Sequence, residues 1–220
     1  RRPGRGHQLL VVAHAYETIA TPGANDNCTG VATILEMGRT LARLVRDGVI
    51  PKPLRTIRFV WGNEISGSTA FMNKYPELQD KLIAALNFDM TGANPDSTDS
   101  YLRIKMTPDA RASYLNDLVA NLLQFVDQSD VRTTQGRNAQ FNYRLCPLAT
   151  ITSGSDHSVF NAGGIPTMQF NYWPDNFYHS SGDRIVHVDP TELKRVGFTA
   201  AAAFAYLSGA GAEEARDLAW

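Results

Sequence analysis

Leu9-Leu10-Val11-Val12-Ala13-His14 is the stretch that decides the fold, because an apolar run of strand length ends there in a polar residue. Short continuous apolar runs of this kind are typical of strands buried on both faces. From Gly30 to about Asp47 the apolar residues recur at helical spacing, and Gly48 can end that helix. Thr56–Trp61 then returns to a strand pattern. This order predicts parallel strands connected by a helix.

The same alternation of strand and helix patterns continues along the chain. Further strands are predicted at Ile83–Met90, Tyr101–Met106 and Ile165–Phe170, and further helices at Ser68–Lys74, Ala110–Asp127, Ser158–Ala162 and Pro190–Leu207. Strands that alternate with helices indicate an α/β protein with helices on both faces of its sheet. We therefore predict a three-layer α/β/α sandwich with a mostly parallel central mixed sheet, formed by residues 1–220 as a single domain.

The composition excludes several classes of partner. The chain has 220 residues, 43% of them hydrophobic, and a formal net charge of −1, which argues against a nucleic-acid partner. No apolar run approaches the roughly 20 residues that span a bilayer, and no targeting signal is recognisable. The sequence lacks an initiator methionine and opens almost directly into a strand. These features favour a fragment or a processed domain that lacks an N-terminal portion.

Polar residues that suit a metal follow the predicted strands or precede the first helix. They are His14, Asp26, Glu64, Asp89 and His179. In open α/β sheets, ligands gather at the carboxyl ends of the strands. Imidazole and carboxylate are the ligands of catalytic zinc. Each residue alone has an ordinary explanation, such as a helix N-cap for Asp26, but the ordered set favours a metal site.

The surroundings of these residues form blocks that occur in a characteristic order. The blocks are Val11–His14, Pro22–Val31, Arg58–Glu64, Gly67-Ser68, Leu86–Gly92, Ser155–His157, Phe160, Gly164–Pro166 and Tyr178–Ser180. In this order they resemble the zinc aminopeptidases with a co-catalytic metal pair, a group that includes glutamate carboxypeptidase-like enzymes and glutaminyl cyclases. The resemblance extends from about Leu9 to the closing helix.

The resemblance implies a ligand set and a reaction. His14 and Asp89 would hold one Zn²⁺, His179 and a glutamate would hold a second, and Asp26 would bridge them, with a cis peptide bond after Asp26. The cofactor would be one or two zinc ions. The implied function is an exopeptidase that hydrolyses the N-terminal residue of a peptide, or of an amino-acid derivative, with metal-activated water. A secreted or periplasmic location is implied as well.

Glu64 has two possible roles, because the family usually carries a Glu-Glu pair where this chain has Asn63-Glu64-Ile65. One alignment makes Glu64 the general base and leaves the second metal one ligand short. The other makes it the metal ligand and replaces the base by Asn63. The family also has an aspartate two residues after the first histidine, and here Glu17 could replace it from one position later.

Several residues are expected to support the site. The Tyr178 hydroxyl would stabilise the oxyanion, or its ring would only form a wall of the cleft. His157 would face the site without binding metal, and Asp183 would orient His179 or serve a turn. Cys28 and Cys146 could pair or remain free thiols. Two other functions stay open: a single-zinc acyltransferase of the glutaminyl cyclase type, and a non-catalytic peptidase-like binding module.

Overall fold

A computed structural model describes residues 6–14, 21–129, 141–148, 152–211 and 214. The described strands are β1 (Gln8–His14), β2 (Thr56–Gly62), β3 (Leu82–Phe88), β4 (Tyr101–Pro108), β5 (Tyr143–Leu148) and β6 (Thr167–Trp173). The described helices are α1 (Gly30–Arg46), α2 (Ser66–Lys74), α3 (Pro95–Thr98), α4 (Leu115–Gln128), α5 (His157–Ala162) and α6 (Pro190–Gly209). An irregular turn, Ala24–Thr29, precedes α1.

The strands form one mixed sheet in the order β2-β1-β3-β6-β4-β5. Pairing is parallel between β1 and β2, β1 and β3, β3 and β6, and β4 and β5. Only the β4–β6 pair among the described strands is antiparallel. The carboxyl ends of β1, β2, β3 and β6 therefore meet at one edge of the sheet, which is where ligands bind in such folds.

Helices cover both faces of the sheet, so the predicted three-layer α/β/α sandwich is confirmed. Alternate residues of β1 point to opposite faces. Leu9 and Val11 pack into the larger core with α1, α4 and α6, whereas Leu10 and Val12 pack into a smaller core that includes Phe160 of α5. The side chain of His14 follows Leu10 and Val12 onto the face that carries the smaller core.

The sequence prediction differs from the structure at the far edge of the sheet. No strand was predicted at Tyr143–Leu148, which forms β5. This segment contains Arg144 and Pro147, and none of its residues is buried, as is common in edge strands, so it lacks the apolar signature of a central strand. In addition, α4 begins at Leu115 rather than at Ala110. None of the described helices has the length and apolar character needed to cross a membrane.

Candidate metal centre

Three buried side chains bring their ligand atoms together where β1 and β3 end. The ligand atoms of His14, Asp26 and Asp89 all lie within 4.8 Å of one another. His14 Nε2 is 3.4 Å from Asp26 Oδ1 and 3.8 Å from Asp89 Oδ1. Each of the three residues is at most 6% exposed. The structure thus brings together three of the five residues that the sequence analysis selected as metal ligands.

Asp26 lies between the two predicted histidines. Its Oδ1 atom faces His14, and its Oδ2 atom lies 3.1 Å from Nε2 of His179. His179 comes from the loop after β6, and its side chain is 39% exposed. Each carboxylate oxygen of Asp26 is therefore directed to a different imidazole. This arrangement suits a carboxylate that bridges two cations, the role that the family resemblance implies for Asp26.

Asn27 fixes the ends of β1 and β3 relative to each other. Its buried amide donates to the carbonyl oxygens of His14 (3.1 Å) and Phe88 (2.9 Å). The Oδ1 atom of the same side chain accepts from the backbone N–H of Gly30 (3.1 Å) and of Met90 (2.9 Å). Asn27 follows Asp26 through a cis peptide bond. One side chain thus ties together the backbone beside three candidate ligands, a role that the sequence analysis missed.

Asp183 supports the turn that carries Asp26. Its two carboxylate oxygens accept from the backbone N–H of Asn25 (2.7 Å) and of Asp26 (3.0 Å). Burial raises the pKa of Asp183, the two backbone donors oppose this effect, and the nearby charges of Asp175 and Asp26 raise the pKa further. Of the two roles predicted from the sequence, orienting His179 or serving a turn, these contacts correspond to the second.

Asp89 is held by the neighbouring strand β6. Gln169 Nε2 donates to Asp89 Oδ2 (2.8 Å), and Asn171 Nδ2 donates to the Asp89 backbone oxygen (3.1 Å). Both β6 residues are buried polar residues in a central strand. Their amide donors orient the carboxylate and offset part of the cost of its burial. The other oxygen, Oδ1, faces His14.

Asp156 contacts His14 from the N-terminus of α5. Its Oδ2 atom lies 3.5 Å from His14 Nδ1, the ring nitrogen directed away from Asp26 and Asp89. Its Oδ1 atom accepts from Ser68 Oγ (2.6 Å) and from the backbone N–H of Ile65 (2.8 Å). Histidine ligands of zinc usually direct their second nitrogen to a carboxylate of this kind. Glu17, for which the sequence suggested this role, lies outside the described residues.

Glu64 is half-buried in the turn that follows β2. The backbone N–H of the next residue, Ile65, donates a hydrogen bond to Asp156, the carboxylate that contacts His14. No group of mutually close ligand atoms among the described residues includes Glu64. This geometry separates Glu64 from the three-residue group without deciding between its two predicted roles.

Tyr178 and His157 flank the centre. The Tyr178 ring stacks on the imidazole of His179 with centroids 3.7 Å apart and meets Trp173 edge-on at 4.9 Å. His157 is fully buried, and its Nε2 atom lies 3.3 Å from Thr152 Oγ1. Burial, helped by the positive charge of Lys105, lowers the pKa of His157 to about 3. His157 is therefore a neutral residue at physiological pH.

The backbone is unusual beside the candidate ligands. Ile65, Met90 and His179 have positive φ angles of 53°, 57° and 52°. Positive φ is uncommon outside glycine, and such residues cluster at functional sites. Here two of them directly follow Glu64 and Asp89, and the third is itself a candidate ligand. Of the two alternatives for the cysteines, the structure shows free thiols at both Cys28 and Cys146.

The donor set fits zinc. Each of two imidazoles lies 3.1–3.8 Å from a buried carboxylate oxygen. The ligand atoms of the two carboxylates, Asp26 and Asp89, lie within 4.8 Å of each other, and like charges this close repel one another unless a cation lies between them. Nitrogen and oxygen donors in this mixture are those of catalytic zinc centres. The residues that would hold the ion are His14, Asp26, Asp89 and His179.

Comparisons with known proteins identify the family of the chain. The profile of peptidase family M28 matches residues 1–204. Leucine aminopeptidase 1 of Trichophyton rubrum is 29% identical over 208 residues, which are 85% of this chain and 51% of that protein. Aminopeptidase YwaD of Bacillus subtilis is 27% identical, with 86% of this chain and 38% of that protein covered. The chain thus spans about half the length, or less, of these relatives.

Solved structures share the fold. A zinc aminopeptidase from Bacillus subtilis superimposes with a TM-score of 0.70 at 21% identity, covering 93% of this chain and 47% of that one. The LapA aminopeptidase of Legionella pneumophila gives a TM-score of 0.66 at 22% identity, covering 93% and 51%.

Proposed function

The chain belongs to peptidase family M28, and on this premise we propose that it is the catalytic domain of a zinc aminopeptidase. The proposed reaction removes the N-terminal residue of a peptide by hydrolysis. One observation carries the proposal: buried Asp26 directs one oxygen to His14 and the other to His179, with Asp89 beside them. Neither alternative function is favoured, because the relatives named above are aminopeptidases.

We propose that zinc is held by His14, Asp26, Asp89 and His179. A bound zinc ion supplies Lewis acidity and lowers the pKa of water towards about 7. The remaining groups are arranged to support this chemistry. Gln169 orients Asp89, Asp183 fixes the turn of Asp26, and Asp156 faces the outer nitrogen of His14.

Glu64 is proposed to be the general base. It emerges from the carboxyl end of β2, next to the strand that ends in His14, and it lies outside the group of three close ligands. A base must be near the reacting water and must not be consumed as a ligand. Glu64 would accept the proton of the attacking water and return it to the leaving amine.

Tyr178 is proposed to line the cleft and to donate its hydroxyl to the developing oxyanion. Its ring is 40% exposed and is held between Trp173 and His179. A hydroxyl beside a candidate metal ligand is well placed for this role, which is worth a few kcal/mol in other enzymes. We also propose a secreted or periplasmic location, and detection of the protein in culture supernatant or periplasmic extract would test it.

The test combines zinc content with hydrolysis of amino-acid p-nitroanilides by the purified protein. Asp26→Asn should lower both zinc content and turnover, because one carboxylate faces both histidines. Asp80→Asn is the matched control, since Asp80 is exposed and lies outside the centre. A folded wild-type protein that binds no zinc and hydrolyses none of the substrates would refute the proposal and favour a binding module. Cyclisation of N-terminal glutamine without hydrolysis would instead indicate the glutaminyl cyclase reaction.

A further inference from the structure

Three cationic side chains lie on one face of the β4–β5 edge of the sheet. Arg103 and Lys105 are two residues apart on β4 and therefore point to the same face. Arg144 of β5 is in register with Arg103. Its guanidinium lies over the ring of Tyr101, 4.6 Å from the centroid, which places it on that face as well. We call Arg103, Lys105 and Arg144 the basic strip.

The basic strip is on the same face as the metal centre, one strand away from the residues that hold Asp89. Lys105 pairs with Gln169 across the antiparallel β4–β6 ladder, and Arg103 pairs with Asn171. Directly opposite residues of such a pair share a face. Both partners donate hydrogen bonds to Asp89. In the sheet β4 is two strands from β3 and three from β1, so strand spacing places the β4 backbone about 10–15 Å from the strands that carry Asp89 and His14.

Lys105 is the residue of the basic strip on which the charges of the metal centre act. Its ammonium is half-buried and makes no hydrogen bond or ion pair within the part of the chain that the structure describes. Burial lowers the pKa of Lys105, and the positive charge of Arg103 lowers it further. The negative charges of Asp89 and Glu64 raise it. The same ammonium contributes to the low pKa of buried His157. A partly desolvated ammonium is stabilised further by an anionic ligand that contacts it directly.

We infer that Lys105, with Arg103 beside it, binds the side-chain carboxylate of an acidic N-terminal residue, so that the enzyme prefers peptides that begin with glutamate or aspartate. This inference rests on the proposed aminopeptidase function. The scissile bond must lie at the metal centre, and the side chain of the N-terminal residue extends only a few ångströms from it. The side chain of Lys105 is long and lies on the same face of the sheet, so from β4 it can meet such a side chain and form a charge-assisted hydrogen bond.

The test compares glutamyl and glutaminyl p-nitroanilides, since glutamate and glutamine have nearly the same shape and differ in charge. Wild-type kcat/KM should favour the glutamyl substrate by about 10- to 100-fold, the range expected of a hydrogen bond between charged groups. Lys105→Met keeps the length of the side chain and removes the charge, and the ratio should fall to about 1. Lys52→Met is the control, because Lys52 is exposed and distant, and its ratio should equal that of the wild type.

Direct binding provides a second readout that does not depend on turnover. In calorimetry, the wild type should bind L-glutamate, the expected product, more tightly than L-glutamine. Lys105→Met should bind the two amino acids equally weakly. Hydrolysis of neutral substrates with no preference for glutamate would overturn the inference and leave the aminopeptidase proposal intact. Equal loss of both activities in Lys105→Met would also overturn it, because it would assign Lys105 to charge balance at the centre. Hydrolysis of neither substrate, with no glutamate binding, would remove both proposals.

Discussion

Asp156→Asn tests how the structure orients His14 towards the metal. A histidine that binds zinc through Nε2 carries a proton on Nδ1 and donates it to an acceptor. Asp156 Oδ2 lies 3.5 Å from His14 Nδ1 and is placed to be that acceptor. Asparagine has the same size, and its oxygen can still accept from Ser68 and from the backbone of Ile65. Its amide nitrogen would then face His14, so that two donors would meet.

The expected effect is a loss of zinc affinity at nearly constant stability of the metal-free protein. Loss of a carboxylate partner behind a histidine ligand typically lowers metal affinity about 10- to 100-fold, which is about 1.4–2.8 kcal/mol. The metal-free protein should lose little stability, because the substitution removes a buried negative charge and keeps two of the hydrogen bonds that Asp156 makes.

Competition for zinc against a chromophoric chelator measures this effect, and urea unfolding in the presence of excess chelator measures the stability. Asp80→Asn serves as the control for the change in charge, because Asp80 is exposed. Unchanged zinc affinity in a folded Asp156→Asn protein would refute the assignment. A large loss of stability without zinc would instead make Asp156 a structural residue that only anchors the turn before α2.

Three further predictions concern neighbouring residues. Asn27→Asp should destabilise the metal-free protein by about 2–5 kcal/mol, because two buried carbonyls lose their donor. Urea unfolding measures this loss, and the control Asn63→Asp, at an exposed position, should change the free energy of unfolding by less than about 0.5 kcal/mol. Glu64→Gln should retain the wild-type zinc content and lose about 10²- to 10⁴-fold in kcat, whereas loss of one zinc per chain would make Glu64 a ligand. The His157 pKa of about 3 lies below the value near 6.5 of an unfolded histidine. Its contribution to stability is therefore complete above about pH 6.5 and is lost as the pH falls towards 3, by about 3 kcal/mol at pH 4. His157→Gln should reduce this loss of stability at low pH, as measured by urea unfolding across a pH series. The same pH dependence of the free energy of unfolding in the wild type and the variant would contradict the prediction.

The sequence predicts that His14, Asp26 and Asp89 meet, because each one ends or adjoins a recognisable element. His14 is the last residue of β1, Asp89 directly follows β3, and Asp26 lies in the turn before α1. Parallel strands bring their carboxyl ends to one edge of the sheet, so the order of elements is enough to predict that such residues meet. The prediction of the fold succeeds for the same reason.

The residues that support the ligands are harder to predict, because their roles arise from contacts between distant segments. Gln169 lies within an otherwise apolar strand, and nothing in its local pattern indicates that it donates to Asp89. Asp156 precedes a short helix, where an N-cap role is the ordinary expectation. Its contact with His14 exists because α5, which packs on β3 and β6, begins beside the end of β1. The β5 strand is hard to predict for a different reason: an edge strand needs no apolar pattern.

The supporting contacts also explain why the centre requires a cation. Asp26, Asp89, Asp156 and Asp183 are all buried, and each backbone or amide donor that orients them offsets only part of the cost of removing a carboxylate from water. Mutual repulsion adds to this cost: the pKa of Asp183 is raised mainly by burial, and the charges of Asp175 and Asp26 raise it further. A divalent ion between these groups converts the repulsion into attraction. Because the folded chain holds the ligands together and the unfolded chain does not, zinc binding must stabilise the fold by the free energy with which the preformed site binds the ion. The hydrogen bonds that orient the ligands therefore set the affinity for zinc and the stability of the loaded protein together.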